Sequence, residues 1–335
     1  MKSGKLAFLK DYGIALVLVA LVLFFSLTTT AFLRTSNLLN VARQVAMLGI
    51  SAVGMTFVIL TGGIDLSVGS LMSLLNIVCA LLLVNAGIHP AFAVLISLVL
   101  AWLLGSLNGW IITRVKIPPL ITTLAMMTSL RGFSYVLSGG LPVWGLPDSF
   151  RVLGQGYVGI IPIPVIIMLV VFILGWLFLT QTSLGLYIYG IGGNEEASRL
   201  SGINVRNVKV LVYALSSFLT GIASMIMLSR LNSGQPVVGT MYELQVITAV
   251  VLGGVSISGG EGKLFGVFVG VLIIGVLNNG MIIMNIDEYY QRVASGFVLL
   301  GAVTLDNFSK GLIGARKRQL AGGGAAAETE GAGAR

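Results

Sequence analysis

Runs of about twenty apolar residues, each closed by a charge, a glycine pair or a proline, recur along nearly the whole chain and leave it few ways to fold. The stretches 163–180 and 264–286 contain no charged side chain at all. Inside lipid every backbone N–H and C=O must be satisfied within the segment, so such runs read as spanning helices. About ten segments of the required length fit, near 12–31, 45–61, 66–85, 91–113, 120–138, 162–180, 208–230, 244–257, 263–283 and 289–306. The chain is expected to be all-α and polytopic. The eighth segment is short and the break after the second is tight, which leaves nine or eleven spans open. A composition of 56% hydrophobic and 10% charged residues excludes an ordinary soluble domain.

Orientation follows from lysine and arginine, which concentrate in cytoplasmic loops. With the N-terminus inside, Arg114, Lys116, Arg199, Arg206, Lys209 and Lys263 join the basic termini on the cytoplasmic side, against Arg34, Arg43, Arg151, Arg230 and Arg292 outside. Both termini are therefore expected to be cytoplasmic. The net charge of +8 reflects this topology and anionic membrane lipid rather than nucleic acid. The division is a cytoplasmic N-terminus at 1–11, a transmembrane domain at 12–306, and a Gly/Ala-rich cytoplasmic tail at 307–335 too poor in large apolar groups to fold. No small-residue cleavage pattern follows the first span, which reads as a retained anchor. Cys79 is the single cysteine, so no intramolecular disulfide forms.

One cytoplasmic segment, near 190–207, breaks the apolar pattern. Asn194 suits a helix N-cap, Glu195 and Glu196 fall in the first turn where the helix dipole favours negative charge, and Ala197, Ser198, Arg199 and Leu200 complete a short helix that Gly202 can stop. This predicts a surface helix displayed to a soluble partner; a merely solvated loop is the alternative. Residues 52–77 weakly echo 249–274, with Gly62-Gly63 matching Gly259-Gly260 as tight turns and Asp65 placed to cap the third span. His89 is the single histidine, in a loop, and no cluster has metal-ligand spacing. No G-x-x-x-x-G-K-[ST] phosphate loop occurs either. No catalytic residue, metal or cofactor is expected.

The run Gly54-Met55-Thr56-Phe57-Val58-Ile59-Leu60-Thr61-Gly62-Gly63-Ile64-Asp65-Leu66-Ser67-Val68-Gly69-Ser70 resembles the signature of sugar-uptake permeases of ATP-binding cassette (ABC) importers, the ribose-type branch. Agreement extends through Ile117–Leu124, Leu130-Arg131-Gly132, Gly193–Ile203, Tyr242-Glu243-Leu244, Ala249–Gly254 and Leu277–Gly280, roughly 35–305 in all. Pro119, where relatives commonly carry alanine, and the Gly-rich tail depart from the pattern. The resemblance implies the membrane half of an importer in a bacterial inner membrane. A second permease copy would complete the path, ABC ATPase subunits would dock below, and a periplasmic or lipid-anchored sugar-binding protein would dock above. ATP-driven closure would push on the 193–203 helix, with Glu195, Glu196 and Arg199 pairing with partner charges and Ala197 and Leu200 filling an apolar floor.

Polar residues inside spans are costly and tend to face the bundle interior or a water-filled path. Asn76, Asn108, Thr122, Thr123, Asn278 and Asn279 are the candidates; their amides and hydroxyls suit a neutral monosaccharide, and helix-to-helix hydrogen bonding is the equal alternative. Arg131, halfway along the fifth span, must pair with a carboxylate, bind backbone carbonyls or snorkel. Two other readings stand beside the importer: a secondary transporter driven by an ion gradient, disfavoured because no acidic residue is expected within a span, and a related permease for branched-chain amino acids.

Overall fold

The computed structural model describes residues 2–304, with side chains from residue 14 onward; the tail at 307–335 lies outside the described residues. The helices are α1 (Lys2–Thr28), α2 (Thr35–Leu60), α3 (Val68–Val84), α4 (Pro90–Trp110, continued by a π-turn over Ile111–Val115), α5 (Pro119–Ser138), α6 (Val152–Gln155), α7 (Ile163–Gln181), α8 (Ser183–Gly193), α9 (Glu195–Leu200), α10 (Val205–Leu231), α11 (Tyr242–Leu252), α12 (Leu264–Ile283) and α13 (288–304). A two-residue hairpin, Tyr157–Val158 with Ile161–Pro162, is the sole strand pairing among the described residues beyond an isolated bridge between Val143 and Gly234.

Among the described residues, six helices are long and apolar enough to cross a membrane: α2, α4 with its π-turn, α5, α7, α10 and α12. Ile14–Thr28, α3 and α11 are apolar but shorter. The chain is a multi-pass membrane protein in which α2 forms the axle. Every residue of α2 from Val45 to Leu60 is buried, as befits a helix that is apolar all round. Small residues let its neighbours close in: a Cβ on Gly54 would lie 2.7 Å from Ser216 Cα, so α10 passes almost backbone to backbone. Around this pair sit α3, α4, α7, α11 and α12, with α1 against α12. The outer faces of α4, α5 and α7 expose large apolar side chains, among them Leu103, Trp110, Phe133, Val136, Ile173 and Trp176. In a membrane protein these faces meet lipid.

Four sequence expectations need correction. The second helix begins at Thr35, ten residues before the expected 45, and its 26 residues span about 39 Å. Its polar first turns are satisfied sideways: Asn37 pairs with Asn279, Asn40 accepts from Arg230 at 2.8 Å, and Arg43 donates to the Tyr157 hydroxyl while stacking on that ring. The eighth element stops at Leu252 instead of 257. Its 11 residues reach about 16 Å, half of a hydrocarbon core of about 30 Å. The stop comes from Gly253, where a Cβ would lie 2.6 Å from the Val267 backbone of α12. Irregular backbone at such depth is tolerable only inside protein, and Val238 and Val255 on either side of α11 are buried.

The segment after α7 is not a loop carrying one short helix; α8 precedes α9 directly. Finally, the expectation that no acidic residue lies within a span fails at Glu243. This residue lies in α11 and is buried, so an acidic residue does occur inside the helical bundle.

Candidate functional site

One end of the bundle is organised around α9. Asn194 serves two helices at once: its N–H donates to Gly190 O at 2.9 Å to close α8, and its Oδ1 accepts from Ala197 N–H at 2.9 Å to start α9. Gly202, with φ +85°, turns the chain out of α9, and Asn204 Oδ1 accepts from Asn207 N–H at 3.2 Å to begin α10. Lys209 on α10 binds Glu195 at 2.6 Å, and Arg199 binds Glu196 at 2.5 Å. The hydrogen bond to Glu196 raises the Arg199 guanidinium above its ordinary pKa. Both carboxylates expected to meet a partner are thus paired within the chain. Ala197 and Leu200, three residues apart on one face, remain exposed, Leu200 at 79%.

The glycine turns meet beneath this helix. Gly260 N–H donates to Leu60 O at 2.9 Å, joining the end of α2 to the turn before α12. Gly62, Gly259 and Gly260 all have positive φ, between +74° and +85°. Gly192 of α8 presses into the same junction, where a Cβ would overlap the Leu60 carbonyl oxygen and the Gly260 amide. Tyr189 of α8 adds a hydrogen bond to Gly262 O at 2.9 Å, and Gly63 lies under the Tyr213 hydroxyl. The two Gly-Gly pairs therefore clamp α8, and through Asn194 α9, to the ends of α2 and α12.

The turn after Gly63 is held from α4 and α5. Asp65 Oδ1 accepts from Ser67 N–H at 2.9 Å and Ser67 Oγ at 2.5 Å, and Asn108 Nδ2 donates to Ser67 Oγ at 3.0 Å. Helix α3 starts at Val68 with Ser67 at its N-cap, so Asp65 shapes the preceding turn and does not cap the helix from Leu66. Thr123 Oγ1 donates to Ile64 O at 3.2 Å and Pro119 O at 3.0 Å. Thr122 is buried beside it at 5% exposure. His89 caps α4, its Nδ1 accepting from Ala91 N–H at 3.3 Å.

The opposite end of the bundle holds a cavity of about 410 Å³ between α2, α10, α11, α12 and α13, within the range of small-molecule sites. Its charged lining is already partnered: Arg230 on Asn40, and Arg292 on Glu288 at 2.7 Å. Tyr242 turns its hydroxyl to Met47 O at 2.9 Å and Ser51 Oγ at 3.1 Å. Carboxamides and thioethers, Gln44, Gln245, Asn278 and Gln291 with Met47, Met227 and Met241, line the space beside the aliphatic Leu48, Leu244, Ile282 and Leu299. Asn278 Nδ2 lies 3.4 Å from Gln245 Oε1.

Of the six polar candidates, Asn278 alone lines this cavity. Asn108 and Thr123 hold the turn at the other end, and Asn76 Oδ1 accepts from Gln235 N–H at 2.9 Å. Asn279 forms a reciprocal amide pair with Asn37, at 3.0 and 2.9 Å. Asn279→Leu should cost about 1 kcal/mol by removing both bonds of the pair and leaving the half-buried Asn37 carbonyl oxygen without its partner, while Asn37→Leu with Asn279→Leu should recover most of it; thermal unfolding in detergent across this double-mutant cycle checks the coupling. Gln44 was missed because it lies one residue before the expected second span, which begins ten residues earlier than the apolar pattern shows; Gln245 and Gln291 lie at the edges of the expected eighth and tenth spans, and only the packing of α2, α11 and α13 brings the three to one cavity.

Residues 37–303, which include both ends just described, match the family described as "Branched-chain amino acid transport system / permease component". The chain belongs to this family of permeases. The permease is 45% identical over 300 residues to the ribose import permease protein RbsC of Bacillus subtilis, covering 89% of this chain and 93% of that protein. Identity to the Escherichia coli K12 ribose import permease protein is 42% over 305 residues, 90% and 95% of the two chains. The xylose transport system permease protein XylH of the same strain is 34% identical over 355 residues, 88% and 90% of the two. No solved structure matches the permease.

Proposed function

We propose that this permease is the translocation subunit of an ATP-driven importer for a neutral monosaccharide, a ribose-like pentose or a hexose. The carrying observation is the rigid mounting of α9: the helix that would meet an ATPase is fastened through Gly192 and Lys209 to α2, α10 and the turn before α12. A push on Ala197 and Leu200 therefore reaches the core instead of dissipating in a loop. ATP hydrolysis belongs to separate ABC ATPase subunits. The names of the ribose and xylose relatives support the sugar assignment.

In this reading α1–α5, α7 and α10–α13 make ten passes of an inner membrane, with α11 as a half-length pass, both termini cytoplasmic and α9 facing the cytoplasm. The cavity then opens toward a periplasmic or lipid-anchored binding protein, and a second copy of the permease completes the path. Carboxamides donate and accept, matching sugar hydroxyls without fixing an ion. Contacts of this strength allow release, whereas a charge pair would trap a charged solute.

The buried Glu243 keeps an ion-gradient carrier as the second reading, since such carriers use intramembrane carboxylates. One experiment separates them: uptake of labelled pentoses and hexoses into proteoliposomes, with and without ATPase and binding protein. Uptake needing both partners and ATP, and lost on Glu195→Arg with Glu196→Arg, is the expected result. Uptake by the permease alone under a proton or sodium gradient would replace the importer with the carrier.

A further inference from the structure

Residues 232–241 connect α10 to α11, and the end of this segment, Gly239 to Met241, forms one wall of the cavity. It runs without regular helical structure and includes three left-handed residues, Asn232, Gly239 and Met241. Backbone of this kind at bundle depth needs partners from elsewhere. They come from two helices that do not line the cavity. Arg131 on α5 donates through Nη1 to Pro236 O at 3.1 Å and Val238 O at 2.8 Å. Ser73 on α3 donates to Pro236 O at 2.6 Å and is itself joined to Ser134 of α5 at 2.9 Å. Asn76, one turn further along α3, accepts from Gln235 N–H.

The fit is close as well as polar. Gly69 of α3 and Gly239 meet backbone to backbone, each where the other's Cβ would stand. Glu243 completes the nest: its Oε2 would touch a Cβ on Gly69, and it has no hydrogen-bond partner among the described residues. The opposite charges of Arg131 and Glu243 thus share one enclosure. A guanidinium is suited to this, because the two N–H groups of Nη1 reach both carbonyls while the rigid planar group keeps its charge. A neutral side chain would leave both carbonyls and the Glu243 carboxylate uncompensated.

The same α3 begins at the turn clamped to α8 by the glycine junction. We infer that Arg131 is a positioning residue of the transport cycle, binding the cavity wall at 236–241 to the α3–α5 unit so that displacement of α9 moves the wall. The route runs from α9 through α8 to the 61–67 turn, along α3, and across Ser73, Asn76 and Arg131 to Gly239–Met241. This rests on the reading of α9 as the ATPase docking helix and of the cavity as part of the path.

The test uses the full permease assembled with its ATPase and binding protein, carrying Cys79→Ser and a Thr240→Cys reporter on the exposed tip of the wall. Labelling by a membrane-impermeant maleimide is compared without nucleotide and with ATP trapped in a hydrolysis-deficient ATPase. With Arg131 present, the rates should differ between states by at least about fivefold, the lower edge of an allosteric coupling. Arg131→Leu should abolish that difference and lower the maximal uptake rate with little change in the KM for loaded binding protein, while ATPase activity persists. Arg131→Lys, which keeps the charge but not the planar group, should restore part of both. If Arg131→Leu fails to fold, Ser73→Ala removes one strand of the same clasp and should reduce the labelling difference. State-dependent labelling that survives Arg131→Leu, or survives Ser73→Ala where that variant stands in for it, would overturn the inference. Should no sugar be transported by the unsubstituted assembly, the functional reading fails, yet the labelling comparison still decides whether α9 and the wall are coupled.

Discussion

Gly192→Ala will destabilise the permease and uncouple it, although it adds a single methyl group to a helix. The added Cβ would collide with the Leu60 carbonyl oxygen and the Gly260 amide, and would stand 3.0 Å from the Gly259 carbonyl carbon. None of these atoms is the end of a flexible side chain, so relief requires moving backbone. Overpacking of this kind costs about 1–3 kcal/mol and sometimes more; at roughly 2–4 °C per kcal/mol for a large chain, a loss of about 3 kcal/mol lowers Tm by roughly 6–12 °C. The Gly260 to Leu60 hydrogen bond lies across the same gap and would lengthen. Gly193→Ala is the matched control, since a Cβ there meets nothing within 4 Å. Thermal unfolding in detergent should separate the two variants, and ATP-dependent uptake should fall for Gly192→Ala even below its Tm. Equal behaviour of both variants would mean that the glycine junction carries no load.

The short helix α9 was legible in the sequence because capping is local: Asn194, the two glutamates and Gly202 act within a few residues of themselves. The helices α3 to α5, α7, α10 and α12 were legible for a related reason, since lipid imposes the same length and apolarity on every span. What escaped was set by contacts distant in sequence. Arg34 to Arg43 reads as a loop until Asn279, Arg230 and Tyr157 are seen to satisfy Asn37, Asn40 and Arg43 from other helices. α8 is rich in glycine, a poor helix former, and exists because those glycines let it lie against the two turns. Asn108 and Thr123 look like path residues by depth alone, and only the turn at Ile64 to Ser67 shows what they hold. The weak echo between 52–77 and 249–274 gains physical content from the same junction, where both Gly-Gly pairs meet at one place and receive one helix.

Leu200→Asp should abolish ATP-coupled uptake while leaving the permease folded, and it carries the second large effect. Both carboxylates of α9 are already engaged inside the chain, Glu195 by Lys209 and Glu196 by Arg199, so the apolar face is what the helix offers. Leu200 stands 79% exposed at the end of that face, and in the proposed topology, with α9 facing the cytoplasm, lipid does not cover it. Burying a leucine in a partner groove contributes about 1.5–3 kcal/mol, which is roughly a 10- to 150-fold change in Kd at 1.4 kcal/mol per decade. An aspartate adds a desolvation cost to that loss, so affinity for the ATPase should fall by at least about tenfold. Unfolding should barely move, because exposed substitutions of this kind stay within about 0.5 kcal/mol. Titration of detergent-solubilised permease with ATPase, beside Tm and uptake for the same variant, makes the comparison direct. Unchanged ATPase affinity with Leu200→Asp would show that docking is carried by the exposed charges, and Arg199→Glu would then become the disabling substitution.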